Sequence, residues 1–310
     1  MRRAAFLVAV AAAAVPAAHA ATQAGAAILR LPVSADVAAM GGAYTGVDGG
    51  ISSLGVNPAG VAAATAPELE TSFHSGVLAD QYGFLGYAQP LKYGVPFLGL
   101  SYYNAGTVGL NFSSGQQSTV VAEQDEIAML GWAMPLGDGV TAGVMAKAFR
   151  LNLAQQASAT GFAGDAGAQW ATPLEGLRLG ASVQNAGAGV KFESATDPLP
   201  MTERAGAAYE AAWRPGDAAS YYTALRLTGT VDEVKTVGEA AYPAVGTELA
   251  VDLGKTGRIA VRAGWSFDPQ AATSLSYGLG LSEGRFTLSY AQAGAGELGT
   301  VEYGSFGIRF

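Results

Sequence analysis

The sequence predicts an all-β fold: a transmembrane antiparallel β-barrel of about 14 strands with an N-terminal hatch, or plug, inside its lumen. Three observations carry this expectation. Apolar and polar residues alternate with a period of two, charge falls almost wholly on one of the two faces so defined, and a glycine-rich segment precedes the first strand.

The chain opens on "MRRAAFLVAVAAAAVPAAHA". Arg2 and Arg3 are followed by an apolar core from Ala4 to Val15 and by the small-x-small pattern Ala18-His19-Ala20, the pattern of a cleavable signal peptide over residues 1–20. The mature chain is expected to begin at Ala21, outside the cytoplasm. Composition narrows the chemistry further. There is no cysteine, and the two histidines are His19 and His74, so cysteine nucleophiles, thiolate metal sites and clustered-histidine metal sites are excluded. Net charge is −8 with the 17 Lys and Arg scattered, which argues against a nucleic-acid partner. After the leader no apolar run is long enough for a helical span. An exported, glycine-rich, apolar chain of this kind is either a soluble β protein of the periplasm or a transmembrane barrel.

Residues 21–66 are expected to form the hatch. Ala38 to Gly60 holds seven glycines in 23 residues, Gly41 and Gly42 among them, and ends on Asn57-Pro58-Ala59-Gly60. Asn57 suits an Asx turn, Pro58 pre-sets φ and Gly60 can take positive φ. A barrel this wide is not filled by side chains of its own wall, and Ile51, Leu54 and Val56 suit a packed plug better than a linker. Irregular backbone at membrane depth needs protein or a water-filled cavity around it.

Residues 67–310 are expected to be the barrel. In "GRIAVRAGWS", Ile259, Val261, Ala263 and Trp265 share one face, and Arg258, Ala260, Arg262, Gly264 and Ser266 the other. The same alternation returns in "SLSYGLGL", "RFTLSYAQ" and "VEYGSFGIRF", and upstream in "LRLGASVQ", "ERAGAAYEAAW", "YYTALRLT" and "VGTELAVDL". Segments recur roughly every 15 to 20 residues, a spacing that suits strands crossing a bilayer. The polar face carries Arg178, Arg204, Glu210, Arg226, Glu248, Asp252, Arg258, Arg262 and Arg285, the expected lumen lining; Glu203, at a strand end, is the exception on the greasy face. Tyr102, Tyr103, Trp213, Tyr221, Tyr222, Trp265 and Tyr290 gather at segment ends, as interfacial girdles do. The first half alternates less cleanly. In "EIAMLGWAMPL", Ile127 and Met129 oppose Leu130 and Trp132, so either this strand borders a hydrophobic region inside the barrel or its register differs.

"ILRLPVSADVAAMGGAYTGVDGGISSLGVNPAGVA" (Ile28 to Ala62) resembles the N-terminal signature of the PorV/PorQ family, a branch of the FadL-like outer-membrane barrels. "DPLPMTERAGAAY" (Asp197 to Tyr209) and the final "LSYAQAGAGELGTVEYGSFGIRF" are similar to its middle and C-terminal segments. The resemblance implies a 14-stranded barrel with a lumenal hatch in the bacterial outer membrane, contact with its lipid, and a terminal Phe310 read by the barrel-assembly machinery. It implies two functions: a channel for hydrophobic small molecules, or a component of the type IX secretion system that binds secreted proteins at the surface. In the channel reading the hatch moves around Asn57 to Gly60. An outer-membrane hydrolase is the third possibility, and it would need His74.

Other motifs carry less. Gly294-x-Gly296-x-x-Gly299 fits a dinucleotide fingerprint letter by letter but stands between two strands, as a hairpin loop. His74, near the start of the first strand, has no serine elbow to serve. Glu123, Asp125 and Glu126 lack calcium-loop spacing and read as a solvated loop or strand end. The expectation is a non-enzymatic protein without cofactor or metal.

Overall fold

The computed structural model describes residues 26–76, 80–111, 117–154, 156–192, 196–215, 222–254, 257–269, 275–294 and 299–310. The expected leader, Tyr221 and most of the loop from Gly294 to Gly299 lie outside the described residues. Eighteen strands are described. They are β1 (Glu68–Ser75), β2 (Gln81–Ala88), β3 (Val95–Asn104), β4 (Thr107–Asn111), β5 (Gln117–Val121), β6 (Glu123–Gly137), β7 (Val140–Leu153), β8 (Ala157–Ala171) and β9 (Leu177–Ala186). There follow β10 (Val190–Lys191), β11 (Thr196–Asp197), β12 (Thr202–Trp213), β13 (Ala224–Thr236), β14 (Tyr242–Leu253), β15 (Gly257–Ser266), β16 (Leu275–Glu283), β17 (Phe286–Gly294) and β18 (Thr300–Arg309).

Fourteen of them close one antiparallel barrel in chain order, and β1 seals it against β18 in a register running from Glu68↔Arg309 to Ser75↔Glu302. Closure satisfies the backbone groups that a free sheet edge would leave bare in lipid. β4–β5 and β10–β11 form two small separate sheets beyond the wall. Alternation did not announce them, because they are only five and two residues long.

The wall alternates as the sequence does. In β7, Gly143, Met145, Lys147, Phe149 and Leu151 point in and are buried, while Val144 points out. Leu130 is 66% exposed and Phe162 72%, and Leu227, Val261, Leu279 and Leu288 continue the outer apolar belt. In water that surface would cost about 25 cal/mol per Å²; in a bilayer it is at home, and the fold is that of a transmembrane barrel.

β6 resolves the ambiguity of its sequence: alternation runs unbroken from Asp125 to Leu130, and the pairing with β7 shifts register only between Pro135 and Gly137. Ile127 and Met129 face an apolar interior and Leu130 faces lipid, so both faces are greasy for different reasons. Two other readings are corrected. His74 stands at the penultimate position of β1, not near its start. Tyr103 does not join an outer girdle: it packs against the inner apolar cluster, while its neighbour Tyr102 points out, as period two requires.

We call the end where β1 begins and β18 finishes the terminal end, and the opposite end, which carries β4–β5 and β10–β11, the loop end.

Candidate functional site

The segment before β1 lies within the wall. It holds three short stretches of 3₁₀-helix (Ala27–Arg30, Gly50–Gly55 and Pro58–Ala63) and one short α-helix, α1 (Ala35–Ala39). α1 starts because Ser34 caps it, its Oγ accepting from the Asp36 N–H at 3.2 Å, with Asp36 in the first turn. It ends at Gly41 and Gly42, which both take left-handed φ, 64° and 78°. The last 3₁₀ turn has Asn57 as its cap, Oδ1 accepting from the Ala59 N–H at 3.0 Å, and Pro58 at its first position. Gly60 differs from expectation. It is absent from the positive-φ residues and sits within this turn, where a Cβ would strike the Ser53 side chain, so close packing explains the glycine.

This irregular backbone is satisfied by the polar side chains of the wall. Ser72 donates to the Val33 carbonyl (2.5 Å), Ser276 to that of Ala39 (3.1 Å), Ser182 to that of Val56 (2.7 Å) and Gln184 to that of Gly55 (2.7 Å). Gln169 donates to the Thr45 and Val47 carbonyls at 3.0 and 2.9 Å. The Asp232 carboxylate accepts from the N–H groups of Tyr44 and Thr45 and from the Thr45 hydroxyl, at 2.9, 3.0 and 2.6 Å. The Asn57 amide donates to the carbonyls of Thr45 (2.9 Å) and Ala168 (3.2 Å), and Gly167 is a glycine because a Cβ there would collide with Asn57 Oδ1.

Six of the expected lumen residues fall into one connected set with Asp36. Glu210, Arg226, Asp252, Arg258, Glu248, Arg262 and Asp36 follow one another as alternating acid and base across β12, β13, β14 and β15 and onto α1. Their successive separations are 2.6, 2.7, 3.8, 2.6, 2.6 and 2.8 Å. Arg178 pairs with Asp48 of the N-terminal segment. Burial raises the Asp48 carboxyl above its ordinary range, and the Arg178 guanidinium opposes that shift. Arg285 stands over the Phe286 ring and borders the terminal-end cavity. Arg204 donates to the Gly42 carbonyl (3.1 Å) and to Gln184 (3.0 Å), fastening the segment at that point.

Two compartments result. At the terminal end a cavity of about 860 Å³ is bordered by Arg178, Glu210, Glu248, Asp252, Arg258 and Arg262. Toward the loop end the wall is apolar: Tyr82, Phe84, Phe97, Ile127, Met129, Met145, Phe149 and Leu151 enclose Ile28, Leu29, Val33 and Leu54 of the segment. There only about 10 Å³ of free space remains, on the scale of a single water. Arg30 reaches the loop end, pairing with Glu239 (2.7 Å) and Asp268 (3.4 Å).

His74 is buried, stacked on Tyr82 with ring centroids 5.0 Å apart and edge-on to Tyr303 at 5.1 Å, with Nε2 3.9 Å from Asp80. Asp125 is wholly buried, not a solvated strand end as its charge suggested. No group suited to a metal ion occurs among the described residues. Phe310 is 64% exposed at the terminal end, its N–H donating to the Pro67 carbonyl at 2.9 Å. Sequence reasoning missed Asp232, Gln169, Ser182, Lys147, Asp165 and Asn185. Asp232 does alternate onto the inner face, but nothing in the sequence says which inner polar residues will meet a segment more than a hundred residues away.

No protein-family model and no curated protein sequence matches the chain. Solved structures do. The CymD monoaromatic hydrocarbon channel is 12% identical, with 91% of this chain and 98% of that one covered at a TM-score of 0.54. The toluene transporter TbuX of Ralstonia pickettii is 13% identical, with 89% and 98% covered at 0.54. The toluene transporter TodX of Pseudomonas putida is 12% identical, with 89% and 98% covered at 0.58. At such identities the likeness is one of fold alone: the chain shares the barrel fold of these channels. The PorV/PorQ branch is not singled out by these structures.

Proposed function

We propose that this chain is a bacterial outer-membrane channel for hydrophobic small molecules, with residues 1–20 a cleaved leader, 21–66 a hatch and 67–310 the barrel. One observation carries the reading. An apolar pocket wall that would suit a greasy solute is occupied by the chain's own Ile28, Leu29, Val33 and Leu54, inside a barrel whose fold is shared with hydrocarbon channels. The structure is then the closed state, and movement of the segment opens a path past Gly41, Gly42 and Asn57 to Gly60 into the charged terminal-end cavity. That cavity would face the periplasm and β4–β5 the exterior. Phe310, exposed at the terminal end, is available to the barrel-assembly machinery.

The PorV/PorQ assignment, with its alternative role in holding secreted proteins, rests on the Ile28 to Ala62 signature. The channel reading is non-catalytic, and the enclosure of His74 between Tyr82 and Tyr303 supports that. The test is mass spectrometry of what copurifies with the mature protein from its own outer membrane, before and after deletion of Ala38 to Gly60. An apolar small molecule that is lost with the deletion supports the channel; exported proteins with no small molecule would replace it with the secretion role.

A further inference from the structure

We infer that this channel is built for uncharged apolar solutes and turns carboxylates away, with Asp165 as the residue that sets the preference. The inference rests on the channel reading above.

The residual apolar gap is bordered by Ile28, Leu29, Leu54, Tyr82, Ile127 and Met129, and by Lys147, which is the only charged residue of that lining among the described residues. A free ammonium in such surroundings would be a strong anchor for a carboxylate, because Coulomb attraction and charge-assisted hydrogen bonds gain strength where water is excluded. Lys147 is not free. Its Nζ lies 2.8 Å from Asp165 Oδ2 and donates to Asn185 Oδ1 at 2.6 Å, and the two ionic side chains are 4% and 0% exposed.

Local backbone irregularities bring these partners together. Asp165 stands where the pairing of β8 with β9 shifts register between Gly164 and Ala166, and a bulge of this kind re-aims a side chain. Asn185 holds a left-handed φ of 57°, and its N–H donates to Asp165 Oδ1 at 2.8 Å. Its amide donates in turn to the carbonyls of Leu29 (3.3 Å) and Pro200 (3.2 Å). The lysine is therefore neutralised by a group fixed in the wall, and that group stays when the segment moves. An arriving carboxylate would be stripped of water beside a pair of net charge zero, with an anion already on the cation.

An independent observation at the loop end points the same way. Tyr103 packs against the apolar cluster, and its side chain lies among the carboxylates of Asp80, Glu123 and Asp125. Among the described residues none of the three has an ion pair with Lys or Arg; Asp80 lies 3.9 Å from His74 and bonds Tyr103, and Asp125 accepts from the Asn152 N–H at 3.3 Å. Asp80 and Glu123, part-exposed and without a Lys or Arg partner among the described residues, disfavour anions on that approach, most strongly at low salt.

The experiment is equilibrium dialysis of the full protein in lipid nanodiscs at pH 8 against octanol, octanoate and octylammonium, with empty nanodiscs subtracted. Octanol is expected to bind at least about tenfold more tightly than either ion. Asp165→Asn, which unmasks Lys147, is expected to raise octanoate binding about tenfold and leave octanol within about twofold. Octanoate or octylammonium matching octanol on the natural protein overturns the inference, as does a folded Asp165→Asn protein with no gain for octanoate. Should that variant not fold, the paired change Lys147→Gln with Asp165→Asn must keep octanol binding and octanoate exclusion, and losing either overturns it. If none of the three probes binds the natural protein, the channel reading itself falls and takes the inference with it.

Discussion

The N-terminal segment meets two different walls. On β2, β3, β6, β7 and the start of β8 it is held by close-packed apolar side chains; from the end of β8 round to β18 it is held by serines, amides and carboxylates that bond its backbone. The difference teaches what each side can tolerate. Apolar contacts carry no direction, so one greasy occupant can replace another of similar volume. The polar contacts fix individual N–H and C=O groups, and a buried group left unpaired is costly. A segment that must stay threaded and yet give way is held in register by the second wall and is displaceable from the first.

Substitutions can break this contrast, most sharply on the apolar side. Phe149→Ala removes a fully buried ring and is expected to cost about 3–5 kcal/mol, read as a lowered urea midpoint of the folded barrel in detergent. An apolar additive should recover part of that loss by filling the void, a rescue the polar wall should not show. Asp232→Ala leaves two backbone N–H groups and a hydroxyl without their acceptor, at about 2–4 kcal/mol. It should expose the stretch around Tyr44 and Thr45 to protease while the barrel still migrates as folded. Asn57→Ala loses one cap and three carbonyl donations, the third a long one to Ala181, about 1–3 kcal/mol, with Asn57→Asp recovering only the cap. Arg309→Ala should change stability by less than about 0.5 kcal/mol, since its side chain is largely exposed and only 3.8 Å contact with Glu68 is lost. A large effect there would mean that the β1–β18 seam depends on that pair.

Strands and their facing were legible because lipid outside and charge inside give period two its full contrast, as in Arg258 to Ser266. The same rule was weakest in β6 and β7. There the interior is itself apolar, so Met129 and Leu130 look alike in sequence although one touches the segment and the other faces lipid. The polar set around the terminal-end cavity could be gathered by alternation, but its joining into one acid–base ladder could not, because register across four strands decides which arginine meets which acid. For the same reason alternation says that Arg204 points inward, not that a glycine carbonyl waits there. The Lys147–Asp165–Asn185 group was invisible, since it depends on a register shift and a left-handed asparagine that no periodicity encodes.

The ion pair of Arg30 with loop-end acids has a topological consequence. The described segment runs along its own bore like thread in a bead, from the Arg30 pair at the loop end to the terminal end, where it turns to become β1. A sheet that closes by joining its first strand to its last, around a segment that lies in its bore, has to be wrapped around that thread, or the thread has to be drawn in afterwards. In the first case the tail serves as a mandrel for the ring; in the second, anything bulky fixed ahead of Ala26 would be left stranded outside the finished barrel.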